Sequence, residues 1–306
     1  MKKLVSIFCA AALALSLAGC GAQAADTNTN TNTTAPVVST VYSLEDATVL
    51  TFTDSGITAQ DGGTGYEIDG TALTIDSAGI YAVTGTCADG SITIKEGTTG
   101  VTLVLNGLSL TSADTAPITC NKSTEVTIIA AEGSVNSLTD SARNNDDEYP
   151  DNEAAENAVI KCKDGSQVTL GGTGSLTITA NGKNGIKSGT TTAEEWEASL
   201  TIRELTLTIN APVNDAVNAE QTLNVESGTL TIAAADDALH SDLVLNIGAE
   251  GTEGPAITIT ECYEGIEGAE LNINSGDISI NSSDDCLNAA NSDLSGYDFT
   301  MTISGG

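Results

Sequence analysis

The residues best suited to chemistry recur at one place in a repeated six-residue phrase. From its second residue on, the phrase reads acid, small residue, aliphatic, polar residue, small residue. Its four copies are NDAVNA at Asn214–Ala219, DDALHS at Asp236–Ser241, YEGIEG at Tyr263–Gly268 and DDCLNA at Asp284–Ala289. Successive acids of the phrase are 22, 27 and 21 residues apart. A period of twenty-odd residues is typical of solenoid proteins, in which one structural unit stacks on the next.

If the copies stack in register, their acids form one column. Equivalent residues of neighbouring strands lie ~4.8 Å apart, and like charges at that distance repel by about 1 kcal/mol even in water. A hard, oxygen-seeking cation such as Ca²⁺ would offset this repulsion. The predicted calcium ligands are Asn214, Asp215, Asp236, Asp237, Glu264, Asp284 and Asp285. The alternative is that Asp and Asn only shape corners through Asx-turn hydrogen bonds.

Two earlier copies of the phrase, Glu156–Lys161 and Lys183–Ser188, carry Asn157 and Asn184 in place of the acid. They also bring together four of the few basic residues, which are Lys161, Lys163, Lys183 and Lys187. We expect these lysines either to anchor the carboxylates of a sugar or simply to balance charge on an acidic body.

An insertion at Ala193–Ala198 carries Trp196, the only tryptophan. Its ring either stacks on a sugar or packs on the coil beside it.

Other residues give weaker signals. His240 is the sole histidine, so no multi-histidine zinc site is spelled out, and its place in the phrase predicts a polar, outward-facing position. The acid-rich segment from Asp140 to Glu156 predicts a solvated loop outside the stack, with calcium binding as the alternative. Its spacing does not match an EF-hand loop.

The elements that must position these residues are short strands. Between copies of the phrase, aliphatic residues alternate with Thr, Asn or Ser over three to five residues and then meet Gly, Asp or Asn, and no window has helical spacing. Three such strands in ~22 residues predict one coil of a parallel β-helix, an all-β solenoid. The aliphatic residues of the phrase should point inward as one column, made of Val159, Ile186, Val217, Leu239, Ile266 and Leu287.

Composition excludes several partners. The formal net charge is −32, and only 3% of the residues are aromatic. A body this acidic repels nucleic acid and anionic membranes, so neither is an expected ligand. Five cysteines lie beyond residue 20, and we expect Cys87, Cys120, Cys162, Cys262 and Cys286 to pack inward as free thiols. Cys120 and Cys162 occupy matching positions in APITC and AVIKC and should stack in adjacent coils.

The N-terminus predicts export. Lys2 and Lys3 precede an apolar run, and LAGC ending at Cys20 resembles the bacterial lipobox, in which the cysteine becomes the lipidated N-terminus. The prediction is a lipoprotein signal at 1–20, held to the membrane by a lipid anchor only, with an ordinary secretory signal as the alternative. Residues 21–40 predict a flexible Thr/Asn-rich tether.

The β-helix is expected at 41–306, with an N-terminal cap and first coils at 41–115 and regular coils at 116–306. Ser304-Gly305-Gly306 follows a strand directly, so we expect further C-terminal coils and a cap in a longer protein.

Four segments resemble a known bacterial family. They are GIYAVTGTCADGSITI at Gly79–Ile94, VTLVLNGLSL at Val101–Leu110, APITC at Ala116–Cys120 and EGSVNSLTD at Glu132–Asp140. Together they are similar to the carbohydrate-binding domain-containing proteins, and the similarity runs from about Val41 to the end. The resemblance implies a right-handed parallel β-helix like that of pectate lyases, in a secreted or surface protein. It also implies binding of polysaccharide, acidic sugars included, with calcium on the helix.

Three functions follow. The first is a non-catalytic cell-envelope module that binds acidic polysaccharide through calcium on the acid column. The second is a calcium-dependent polysaccharide lyase, because pectate-lyase-like enzymes pair calcium with a Lys or Arg base, a role open to Lys161 and Lys187. The third is a structural surface protein or adhesin without a glycan ligand.

Overall fold

The computed structural model describes residues 42–60 and 62–306. These residues contain one 3₁₀ turn at Leu44–Asp46 and no α-helix. The strands are β1 Thr48–Thr53, β2 Gly56–Ala59, β3 Tyr66–Asp69, β4 Ala72–Ile75, β5 Gly79–Cys87, β6 Ser91–Ile94, β7 Val101–Ser112, β8 Ile118–Cys120, β9 Glu125–Ala130, β10 Val135–Asp140, β11 Ala158–Cys162, β12 Gln167–Gly171, β13 Ser175–Thr179, β14 Asn184–Ser188, β15 Ser199–Ile202, β16 Thr206–Ala211, β17 Val217–Ala219, β18 Thr222–Val225, β19 Thr229–Ala234, β20 Leu239–Ile247, β21 Ala256–Cys262, β22 Ile266–Ile273, β23 Asp277–Ser282, β24 Leu287–Asn288 and β25 Thr300–Ile303.

Parallel pairing joins most of these strands into three ladders. Ladder one contains β4, β6, β8, β11, β14, β17, the first parts of β20 and β22, and β24. Ladder two contains β1, β5, the first part of β7, β9, β12, β15, β18, the second parts of β20 and β22, and β25. Ladder three contains the last parts of β5 and β7, then β10, β13, β16, β19, β21 and β23. The antiparallel strand pairs are β1–β2 and β3–β4. The predicted all-β class is confirmed as one long, mostly parallel sheet.

Alternating side chains explain why these short segments form strands. In β16, Leu207 and Ile209 are buried while Thr206 and Thr208 are exposed. Successive residues of a strand point to opposite faces, and β-branched side chains suit this pleated, half-buried surface. A one-residue slip would exchange the two faces, so burial also fixes the register.

The core of ladder one is a stack of aliphatic side chains. In-register pairs join Ile92, Ile118, Ile160, Ile186, Val217, Leu239, Ile266 and Leu287. All are fully buried except Leu287, which is half-buried. Burying each such side chain contributes about 1.5–3 kcal/mol. The predicted column is therefore confirmed from Ile186 to Leu287.

The extension of that column to Val159 is wrong, because Ile160 is the residue that pairs with Ile186. The placement of Asn157 at the acid position is wrong for the same reason, since Ala158 pairs with Asn184. Asn157 has a left-handed backbone with φ 61°. It belongs to the corner before β11, so the strand begins one residue later than the repeated phrase suggests.

The described cysteines are free thiols, as expected. Cys120 and Cys162 are buried and level with each other in β8 and β11, which confirms their predicted stacking. Cys87 and Cys262 are also buried, whereas Cys286 is exposed, contrary to the prediction.

The predicted leader, Cys20 and the tether lie outside the described residues. Within the described ranges, no helix is long and apolar enough to cross a membrane.

Candidate functional site

The acid column exists at the level of the backbone, at the entrance to ladder one. The N–H of each small residue of the phrase donates to the carbonyl of the acid in the next copy. These bonds are Gly185 to Asp215 at 3.0 Å, Ala216 to Asp237 at 2.9 Å, Ala238 to Glu264 at 3.0 Å and Gly265 to Asp285 at 2.9 Å. At Gly185 the copy requires glycine, because a Cβ there would lie 2.4 Å from the carbonyl oxygen of Ala216.

Three carboxylates of this column converge. One oxygen each of Asp215, Asp236 and Asp237 lies within 4.8 Å of the others. Asp215 is only 4% exposed and accepts hydrogen bonds from the Asp237 N–H at 3.1 Å and the Asn218 side chain at 2.6 Å. Burial raises the pKa of Asp215 to about 6 despite these donors. Burial and the charges of Asp237 and Glu264 raise the pKa of Asp236 as well.

The other predicted calcium ligands do not join this group of three. The Asn214 amide donates to Asn184 Oδ1 at 2.8 Å, and Asp284 lies beside the Tyr263 hydroxyl. Asp285 is exposed. Glu264 shares the side-chain amide of Asn288 with Glu267, at 3.0 and 2.8 Å.

His240 occupies the predicted polar position on the outward side of ladder one, but the prediction of an ordinary surface role is wrong. Its side chain is 15% exposed and lies between two carboxylates, with Nδ1 2.9 Å from Asp237 Oδ2 and Nε2 2.9 Å from Asp242 Oδ1. Nδ1 is also 3.5 Å from Glu267 Oε1. Burial alone would lower the pKa of His240, but the bonds to Asp237 and Asp242 raise it to about 10. At neutral pH the ring is therefore a cation that offsets part of the acidic charge.

The carboxyl groups of Glu264 and Glu267 lie next to that cation, and their pKa values are shifted in opposite directions. Burial and the neighbouring Glu264 raise the pKa of Glu267 to about 8, while the hydrogen bond from Glu267 lowers the pKa of Glu264. Two carboxyl groups this close cannot both ionise without a large repulsion. At pH 7 the pair therefore carries less than two negative charges.

The four lysines lie on or directly beside β11 and β14 of the same ladder, close to acids. Lys163 pairs with Glu156 at 2.6 Å, Lys187 with Glu220 at 3.3 Å, and Lys183 with Asp147.

Lys161 differs from the other three, because no salt bridge to it is found in the described part of the chain. It is level with Lys187 in the adjacent strand. Burial and the charge of Lys187 lower the pKa of Lys161.

One outward column joins the two charge types. In-register pairs run from Lys161 through Lys187, Asn218, His240 and Glu267 to Asn288. Lys187 and His240 are two strands apart, which is roughly 10 Å. Sequence reasoning missed Asn218, Asp242, Glu267 and Asn288 as site residues. Asn218, Glu267 and Asn288 could have been found, because each occupies the polar position of the repeated phrase, whereas Asp242 lies outside the phrase.

The two predicted insertions differ in how far they are buried. Trp196 is half-buried in a tight turn closed by its N–H bond to the Ala193 carbonyl at 2.9 Å. In the segment Asp140–Glu156, Asp146 and most other acids are exposed, as predicted. The segment itself is not a loop outside the stack, because Asn144, Asn145 and Asn152 are buried and bonded to neighbouring backbone.

The fold and this column define an all-β protein of mostly parallel strands with charged residues along the outer side of one ladder. A family model described as carbohydrate-binding domain-containing protein matches residues 69–244. The chain belongs to that family.

Two individual proteins are similar to it. A protein of the same description from Acetivibrio thermocellus is 34% identical over 123 residues, which is 40% of this chain and 42% of the relative. This chain thus spans about two fifths of that relative's length. A solved structure described as a polysaccharide lyase-like protein from C. thermocellum, a gadolinium derivative, has a TM-score of 0.65 at 23% identity. The match covers 79% of this chain and 94% of that one, and it shows a shared fold.

Proposed function

We propose that the outer column of ladder one binds an acidic, polyuronate-type polysaccharide without cleaving it. The observation that supports this most is the change of charge along one straight strand ladder. Lys161 and Lys187 offer cations to sugar carboxylates, and the three-carboxylate group lies a few strands away. Family membership supports a carbohydrate ligand.

We further propose that Asp215, Asp236 and Asp237 hold a calcium ion that bridges to the sugar. The fit rests on their chemistry, since Ca²⁺ takes six to eight oxygen ligands and these side chains offer only oxygen. Asp215 is nearly fully buried and Asp236 is exposed, so the group opens to solvent on one side. When bound, the ion would neutralise the carboxylates and leave coordination positions for uronate oxygens. Without a cation, a body at −32 should repel a polyanion.

The experiment is a titration of the protein with polygalacturonate, with calcium and with chelator. We expect binding only with calcium, and at least a tenfold loss in Asp236→Asn. Asp277→Asn is the matched control, since Asp277 is exposed on β23 of ladder three and away from the column. Equal binding with and without calcium would contradict the proposed mechanism, and a lack of binding in both would contradict the ligand class.

Lyase activity is the second candidate, favoured by one observation. Lys161 is held without a salt bridge in the described ranges and its pKa is lowered by burial, which suits a general base. β-Elimination of a uronate would release unsaturated product that absorbs in the ultraviolet. Its appearance with the wild-type protein, and its loss in Lys161→Ala, would establish the enzyme. If no product forms while polygalacturonate still binds, the non-catalytic proposal stands, and a glycan array without hits would favour an adhesin.

We propose that the three ladders wind as a right-handed parallel β-helix with about one strand of each ladder per coil. The chain visits ladders one, two and three in the same order at β11–β13, β14–β16 and β17–β19. An experimental structure with the opposite hand would contradict this winding.

We also propose that Cys20 anchors the exported protein in the cell envelope. Cys20→Ser should move it from the membrane fraction to the medium. Unchanged partitioning of this variant would contradict lipid attachment.

A further inference from the structure

His240 sits in an arrangement that neither calcium binding nor sugar binding requires. Its Nδ1 faces Asp237 Oδ2 at 2.9 Å and Glu267 Oε1 at 3.5 Å. One ligand atom from each of the three residues lies within 4.8 Å of the other two. Asp237 lies two residues before β20, His240 is the second residue of that strand, and Glu267 is the register partner of His240 in β22. The three groups therefore converge because adjacent strands are in register.

The separations of these atoms match the edge of a small coordination sphere. Zinc binds histidine nitrogen and carboxylate oxygen at about 2.0–2.2 Å, so in a tetrahedron the donor atoms lie ~3.3 Å from one another. The observed 2.9 and 3.5 Å fall on either side of that value. Small side-chain adjustments are enough to place one ion among the three atoms.

Two of the three residues are also oriented from behind. Asp242 Oδ1 accepts from Nε2 of His240 at 2.9 Å, which directs Nδ1 toward the other two groups. The side-chain amide of Asn288 donates to Glu267 Oε2 at 2.8 Å and leaves Oε1 facing the ring. Metal-binding histidines and carboxylates usually have such partners, which fix the ring and the tautomer.

The cluster is sheltered but reachable. The side chains of Asp237, His240 and Glu267 are each 14–15% exposed. Three protein ligands with partial exposure leave a fourth position open to water, as in sites where the metal meets a ligand. The imidazole nitrogen separates this donor set from the all-oxygen group of Asp215, Asp236 and Asp237, because Ca²⁺ and Mg²⁺ prefer oxygen.

We propose that Asp237, His240 and Glu267 form a site for a borderline divalent transition metal such as zinc, with Asp242 and Asn288 as positioning residues. The ion would replace the proton on Nδ1 and neutralise the two carboxylates. The site rests on its own donor set and does not depend on the proposed polysaccharide function, although Asp237 belongs to both groups.

The first test is calorimetric titration of the chelator-treated chain, without a histidine tag, with zinc chloride. The tag must be absent because its histidines would bind zinc themselves, whereas the chain has one histidine of its own. We expect one saturable zinc ion per chain and at least a hundredfold weaker binding in His240→Gln. Asp277→Asn is the control, because it removes one exposed carboxylate on β23 of ladder three and should leave zinc affinity unchanged. Absence of saturable binding to the folded wild-type protein, or wild-type affinity in His240→Gln, would overturn the proposal.

Asp242→Ala, which removes the acceptor of the Nε2 hydrogen bond, provides a second, milder variant in case His240→Gln does not fold. Loss of an outer partner should weaken zinc binding by about 10–100-fold, because the ring is no longer held in place. The visible spectrum of bound Co²⁺ gives an independent readout, since loss of an orienting partner changes the ligand geometry. A variant with unchanged affinity and spectrum would remove Asp242 from the site.

The two proposals fail separately. Polygalacturonate binding with calcium alone, measured without zinc, tests the proposed function. Zinc titration without sugar tests the site of His240.

Discussion

The two halves of ladder one have the same parallel, in-register strand pairing but differ in how their charged side chains are neutralised. On or beside β11 and β14, Lys163, Lys183 and Lys187 pair with acids near the surface. In β17, β20 and β22 the same outward column is lined by acids around one nearly buried histidine. The basic half uses partly exposed ion pairs, which contribute little to stability. In the acidic half, the His240 cation faces the carboxylates of Asp237 and Glu267, and the pKa values of Glu264 and Glu267 are shifted apart. The stability of this half therefore depends on protonation and on bound ions.

The largest expected difference between the halves comes from removing their cations. His240→Gln should lower the free energy of unfolding by about 3–5 kcal/mol, because it leaves the charge of Asp237, whose side chain is 14% exposed, without its cation. Lys187→Gln should cost at most about 1 kcal/mol, since its ion pair is partly exposed. Urea unfolding at pH 7 in chelator measures both values. Equal losses in the two variants would show that the halves do not differ as described.

The pH dependence should separate the halves next. Because the pKa of Asp215 is raised from 3.8 to about 6, its protonated form is favoured by folding. That contribution is fully present below about pH 4 and is lost as the pH rises through about 6. Relative to Asp215→Asn, the wild type should therefore lose about 3 kcal/mol between pH 4 and 7.

Urea unfolding at several pH values in chelator tests this loss. Asp277→Asn should give a profile parallel to that of the wild type, because Asp277 is exposed in ladder three. Parallel profiles for Asp215→Asn and wild type would contradict the expected role of burial.

Calcium should stabilise the acidic half of ladder one and leave the basic half unchanged. At a hundredfold excess over the dissociation constant, binding to the folded state alone adds about 2.7 kcal/mol. The melting temperature should rise by a few degrees in the wild type and in Asp277→Asn, and much less in Asp236→Asn. Thermal melts followed by circular dichroism measure the shift. A rise of equal size in all three proteins would place the ion elsewhere.

The smallest effect is expected at Lys183 in the basic half. Its partner Asp147 is 69% exposed, so Lys183→Gln should change the free energy of unfolding by less than about 1 kcal/mol. The same variant should weaken polygalacturonate binding severalfold, because it removes a cation near Lys187. A change in stability without a change in binding would make Lys183 a structural residue only.

The repeated phrase predicted the backbone of the site well. In-register strands carry equivalent residues to the same level, so the spacing of Asp215, Asp237 and Glu264 was enough to predict their column. Small irregularities at corners were not readable in the same way. The left-handed turn at Asn157 delays β11 by one residue, and no count of residues in the phrase reveals such a shift.

Side-chain direction was the second limit of the sequence. Asp237 turns toward His240 and Glu264 toward Glu267 and Asn288, so the predicted seven-residue ligand set divides. These choices depend on contacts between coils and on residues outside the acid position. Asp242 shows this best, since it follows the phrase copy Asp236–Ser241 and yet orients the histidine.

The stacking of ladder strands also bears on how the molecule comes apart. Each ladder strand pairs only with the strands directly before and after it, as β14 does with β11 and β17. Folding cooperativity in such an array is one-dimensional, because it depends on the interfaces between each strand and the next strand of the ladder. The strands around His240 can therefore separate while the strands around Lys161 stay paired. A partly opened chain of this kind would lose its ion sites first and keep its lysines in place.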